Sequence, residues 1–152
     1  MRTQTRIALL ACMLLPVLPA WADDMPWAFR SGRGEGYGVA LGGADPAPGT
    51  PVCAGAAQRF EFSVLYELQV KDSGKVLLVI QDENDHAIEG ADVSKGSQPA
   101  AKGRGKVSLA AVVTAPGKAK EVRIFIPIVP DGVENTSGEL VLRYPIRNCP
   151  SS

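Results

Sequence analysis

The sequence predicts an all-β protein, a single antiparallel β-sandwich of about seven strands. Three observations predict it. Apolar residues recur at every second position in several separate segments, the period of a half-buried strand. Turn-forming residues part these segments every 8 to 12 residues or so, the rhythm of a sandwich. No segment after residue 22 carries a 3.6-residue apolar stripe.

The elements follow in chain order. Arg2 and Arg6 precede an apolar run from Ile7 to Leu18, which ends in Ala20-Trp21-Ala22. Basic, apolar and small-x-small regions in this order predict a secretory signal over residues 1–22, cleaved after Ala22. Leu9-Leu10-Ala11-Cys12 offers a competing lipid-anchor site at Cys12. The apolar stretch before that cysteine is short for a signal, so cleavage after Ala22 is the expectation. Residues 23–36 are irregular and Gly-rich but hold Trp27 and Phe29, and are read as an N-terminal arm. The sandwich domain is expected over residues 37–152, with Tyr37 to Leu41 as its first strand.

Phe60, Phe62, Val64, Tyr66, Leu68 and Val70 alternate with mostly polar residues and predict the second strand. Asp72-Ser73-Gly74 reads as a turn. Val76 to Ile80 is a short, continuous apolar run and reads as a central strand. Asp82 to Asp85 reads as another turn, Ala87 to Val93 as a short strand, and Ser94 to Arg104 as a loop. Val107 to Val113, Val122 to Ile128 and Leu140 to Ile146 alternate again. Pro127 and Pro145 donate no ladder hydrogen bond, so their strands should meet an edge or a break there.

Charge and cysteines bound the function. The chain carries 16 basic and 16 acidic residues. Loss of Arg2 and Arg6 with the signal leaves 14 bases against 16 acids, a balance that gives no electrostatic case for nucleic acid. No further apolar run is long enough for a transmembrane helix. Cys53 and Cys149 are an even pair in an oxidising compartment, and a disulfide between them is expected. The predicted location is periplasmic or secreted.

In strand count and spacing the chain resembles immunoglobulin-like and fibronectin type III-like sandwiches over residues 37–148. The antibody-type core tryptophan between two paired cysteines is missing. Such scaffolds serve many functions, so the resemblance implies a fold and no single activity.

Chemistry is sparse. His86 is the sole histidine, and no Gly-x-Ser-x-Gly elbow accompanies it. Asp82, Asn84 and Asp85 are the weak candidate for a metal site, set against an ordinary polar turn. No cofactor motif is present. Trp27, Phe29 and Tyr37 either cap the sandwich or form a contact surface, and Lys102 and Arg104 stand in a small basic cluster. The expectation is a non-catalytic binding domain that engages another extracytoplasmic protein through loops 94–106 and 131–138 or the arm, with inhibitor or immunity protein as one candidate role. A carbohydrate-binding module built on Trp27 is the alternative; a small hydrolase or metal-dependent enzyme comes third.

Overall fold

The computed structural model describes residues 36–134 and 139–150. Trp27, Phe29, the cleavage motif and Cys12 lie outside the described residues. Eight strands are present: β1 (Tyr37–Asp45), β2 (Val52–Cys53), β3 (Ala57–Leu77), β4 (Val79–Gln81), β5 (Asp92–Lys95), β6 (Ser97–Thr114), β7 (Glu121–Pro130) and β8 (Glu139–Arg147). They form a β-sandwich. One layer runs β1-β3-β6-β5 and the other β4-β7-β8-β2. Every pairing is antiparallel except the two-residue parallel contact of β2 with β8.

The alternating residues do what their period requires. Phe60, Phe62, Val64, Tyr66 and Leu68 of β3 are buried, as are Val122, Ile124, Ile126 and Ile128 of β7 and Leu140, Leu142 and Tyr144 of β8. These faces meet in one core. The Phe60 ring meets Tyr144 edge-on at 4.8 Å across the layers, worth about 0.5–1.5 kcal/mol beyond the area buried.

Four expectations are corrected. Val76–Ile80 is split between β3 and β4, and Ala87–Val93 holds one bridge at Ala87 and the start of β5 instead of a single strand. Asp72-Ser73-Gly74 is no reversal: β3 runs through it. The β3–β6 register slips between Leu68 and Ser73. Five steps on β3 are matched there by two on β6, from Gly103 to Ala101. The surplus residues bulge into solvent, and bulges bend strands. Beyond the bulge, Gly74–Val76 pair with β7 and so enter the second layer. The turn-forming residues serve a bend between layers instead of a hairpin. Residues 94–106 are likewise no loop, since Ser97–Gly105 lie in β6. Their small, polar composition hid the strand. Gly105 is small because Tyr66, its cross-strand partner, lays its ring there: a Cβ on Gly105 would stand 2.5 Å from that ring. The Tyr66 hydroxyl accepts from the Ala101 N–H at 3.2 Å.

Both prolines sit where the ladder allows them. Pro127 falls between the stretch of β7 paired with β4 and the stretch paired with β3. Pro145 lies on β8 just before β2 joins its outer side. Cys53 and Cys149 are disulfide-bonded, with Cα atoms 5.4 Å apart across 96 residues of chain.

Tyr144 carries a pH prediction. Its hydroxyl donates to the Pro46 carbonyl at 3.0 Å. Burial, and then the Asp45 carboxylate, push its pKa from 10.0 up to about 12. The protonated phenol is thus favoured by folding. Its contribution is full below pH 10 and is lost as pH rises from 10 to about 12. Tyr144→Phe should remove this alkaline limb from a stability-versus-pH curve. It should also cost about 1 kcal/mol at neutral pH through the lost hydrogen bond. An unchanged limb in urea titrations above pH 10 would assign it elsewhere.

Candidate functional site

The outer face of the first layer holds a concavity. Arg59, Glu61, Ser63, Leu65 and Glu67 of β3 stand opposite Val112, Ala110, Ser108, Lys106 and Arg104 of β6. At the centre of this face the side chains are short. Ser63 pairs with Ser108 on one side and Gly43 of β1 on the other. A register shift at Gly42 brings the β1 backbone over Ser63; a Cβ there would lie 3.2 Å from the Ser63 carbonyl oxygen. Longer side chains wall this floor: Arg59, Glu61, Asp45, Lys95 and Gln98. The result is a trough of about 490 Å³. A second hollow of about 190 Å³ adjoins it, lined by Arg59, Asp92, Ser94, Lys95 and Val112.

The polar groups divide into spent and unspent. Arg59 closes on Glu61 at 2.7 Å, both more than half exposed, so the pair is worth little in stability. The Ser63 hydroxyl is buried without a partner in the chain, a cost normally met by a hydrogen bond. Among the described residues, Lys95, Gln98 and Ser108 make no side-chain hydrogen bond or ion pair. These side chains can serve a bound molecule without breaking anything first.

Lys102 and Arg104 belong to the same face, farther along β6. Lys102 reaches Asp72 and Arg104 reaches Glu67, each at 3.3 Å. They form a basic ridge beside the trough, on a strand and not on a loop. Tyr37 is buried in β1 at 4% exposure and joins the core.

The acidic turn is engaged with the protein itself. Asp82 Oδ1 accepts from the N–H groups of Asn84 and His86 at 2.8 and 3.0 Å. Desolvation pushes the Asp82 pKa up, but these N–H groups and the His86 ring outweigh it, so the carboxyl sits below its ordinary value. Glu83 accepts from the Lys120 N–H at 2.9 Å, which lowers its pKa. Asp85, in the left-handed region at φ 63°, pairs with Arg123 at 2.6 Å. The Arg123 guanidinium lies 5.4 Å from the centre of the Phe125 ring. The turn is therefore pinned to β7. Among the described residues no group of three or more His, Cys, Asp or Glu is placed to hold a metal. His86 stands with its side chain 79% exposed, 3.6 Å from Asp82.

No family model matches the chain, and no curated protein matches it. Among solved structures it is similar to the periplasmic chaperone SfaE, at 14% identity and a TM-score of 0.40, over 76% of this chain and 59% of that one. It is also similar to a family 123 glycoside hydrolase from Clostridium perfringens, at 11% identity and a TM-score of 0.39, over 74% of this chain and 27% of that one. The chain thus spans less than two thirds of either protein. Likeness at this level carries no argument about what this chain binds or does.

Proposed function

We propose that this chain is an exported, non-catalytic protein-interaction domain of immunoglobulin-like strand order, and that its trough receives a segment of another extracytoplasmic protein. The observation that carries the reading is the trough itself: a concave face with a short-chain floor and unspent Lys95, Gln98 and Ser108. Rows of unspent donors and acceptors suit an extended polypeptide, whose main chain offers both at every residue. Lys95, Lys102, Arg104 and Lys106 line one side of this face, which favours a segment with acidic side chains.

The layers β1-β3-β6-β5 and β4-β7-β8-β2 support the immunoglobulin-like assignment. The opening strand pairs with β3 in one layer, and its continuation β2 crosses to pair with the last strand. The long-range disulfide fits an oxidising, extracytoplasmic setting. A catalytic role would have to rest on His86, whose neighbour Asp82 is committed to backbone N–H groups. The glycan reading depends on Trp27, outside the described residues.

The test is crosslinking in intact host cells, followed by affinity capture and mass spectrometry. Ser108→Trp fills the trough, and Lys95→Glu reverses its free cation. One dominant partner should be recovered with the parent chain, and each substitution should weaken it by about tenfold or more. Recovery unchanged by both substitutions would remove the trough from the reading. Glycan binding lost in Trp27→Ala, with no protein partner, would replace it.

A further inference from the structure

The second layer presents a different surface. Outward positions of a sandwich strand are normally polar. Here Val79 of β4, Phe125 of β7 and Val141 of β8 stand side by side on the outer face, joined by register: Val79 opposite Phe125, and Phe125 opposite Val141. Val79 and Val141 are each 40% exposed, and Phe125 is half-buried. Three adjacent strands thus contribute one apolar row running across the sheet.

The charges flanking the row have a particular arrangement. On β8, Glu139 lies two residues to one side of Val141 and Arg143 two residues to the other. Both are exposed. Among the described residues Glu139 has no ion-pair partner. Arg143 gives one nitrogen to Glu121 at 2.6 Å; a guanidinium has donors left for a second carboxylate.

The pattern is self-complementary. A two-fold rotation about an axis along the row lays the row on itself and exchanges its two sides. Each Val141 then meets its counterpart, and each Glu139 faces the other copy's Arg143. Isologous contacts require this property: a patch that matches itself after rotation. A generic partner does not require acid and base at equal distances from the apolar centre.

We propose that the outer face of the β4-β7-β8 layer docks a second copy of this chain, with Val79, Phe125 and Val141 at the centre and reciprocal Glu139–Arg143 pairs at the rim. The row is short, so the dimer is weak. The trough lies on the opposite layer and stays open in the dimer. Two copies would therefore display two troughs, and a partner with repeated segments would gain from binding both.

Sedimentation equilibrium of the exported chain over a wide concentration range tests this. A monomer–dimer equilibrium is expected. Val141→Lys should raise the dissociation constant by tenfold or more, since it buries a cation at the centre. Glu139→Arg and Arg143→Glu should each weaken the dimer through like charges, and the double variant should regain affinity relative to both. Thermal melts of each variant separate a lost interface from a lost fold, and Ser108→Trp should leave the equilibrium unchanged. A chain that stays monomeric throughout overturns the proposal, as does a dimer indifferent to Val141→Lys or a double variant no tighter than its parents. A monomer whose Trp27 fluorescence shifts on Val141→Lys would give the face to the chain's own N-terminal arm. Capture of a different protein, lost in Val141→Lys, would give it to that protein.

Discussion

Cys149→Ser should lower the unfolding midpoint by roughly 10–20 °C. The disulfide joins Cys53, at the end of β2, to a residue two past the end of β8. It closes a loop that contains β3 to β8, almost the whole core. In the chain-entropy account a cross-link over about 100 residues is worth about 4.7 kcal/mol, near the upper end of the usual range. The native state gives a second reason for a large effect. β2 pairs with β8 through two residues only. The backbone contacts beside it are the Ala54 N–H to the Arg147 carbonyl and the Gly55 N–H to the Ala115 carbonyl, each at 2.9 Å, and the Gly49 N–H to the Arg143 carbonyl at 2.8 Å. Once the bond is gone, so short a strand is held by these few contacts and by the buried Val52 side chain. Differential scanning calorimetry of the serine variant, and of the parent with and without reductant, checks the figure. A midpoint moved by only a degree or two in both would mean that β2 is held by other contacts.

Strand alternation made the core legible from sequence because burial acts on side chains one at a time. Phe60, Phe62, Val64, Tyr66 and Leu68, and Val122, Ile124, Ile126 and Ile128, took the inward face that period two assigns them. The β3–β6 pairing was not legible, for two physical reasons. Composition does not distinguish a turn that reverses the chain from a bulge that bends it; both use Asp, Ser and Gly. Residues Ser97 to Gly105 carry too few large apolar side chains to announce a strand, because their pairing is secured by the backbone and by Tyr66 leaning over Gly105. The trough was hidden for a related reason. Its floor residues Ser63, Ser108 and Ala110 occupy the outward positions of ordinary alternating strands. A run of unusually short outward residues on adjacent strands is a signal, but only once the register is known. Lys102 and Arg104 were singled out from sequence, and they do lie on the same face as the trough, though as a strand ridge.

The bend within β3 makes Gly74 a position of large expected effect. Gly74 lies opposite Pro130, and its φ is not in the left-handed region, so its own backbone tolerates a side chain. Space does not. A Cβ would stand 2.7 Å from the Val129 carbonyl oxygen and 3.0 Å from the Pro130 Cα. Both obstacles are backbone, which cannot rotate away as a side chain can. Gly74→Ala must therefore part β3 from β7 where they are directly paired, from Gly74–Pro130 to Val76–Ile128. That pairing is braced by the Asp131 N–H to the Ser73 carbonyl at 3.0 Å and by the Ser73 hydroxyl donating to Asp131. It also carries Val76 and Ile128, both fully buried, into the core. Overpacking costs typically 1–3 kcal/mol, and the rigid obstacle argues for the upper half of that range. Urea unfolding should show a loss of about 2–3 kcal/mol, with amide protection falling first at Val76 and Ile128. Gly117→Ala is the matched control, since nothing lies within 4 Å of its Cβ position. If the two variants unfold alike, β3 does not cross between the layers at Gly74 as described. If only Gly74→Ala is weakened, the crossing of β3 into the second layer depends on the absence of one methyl group.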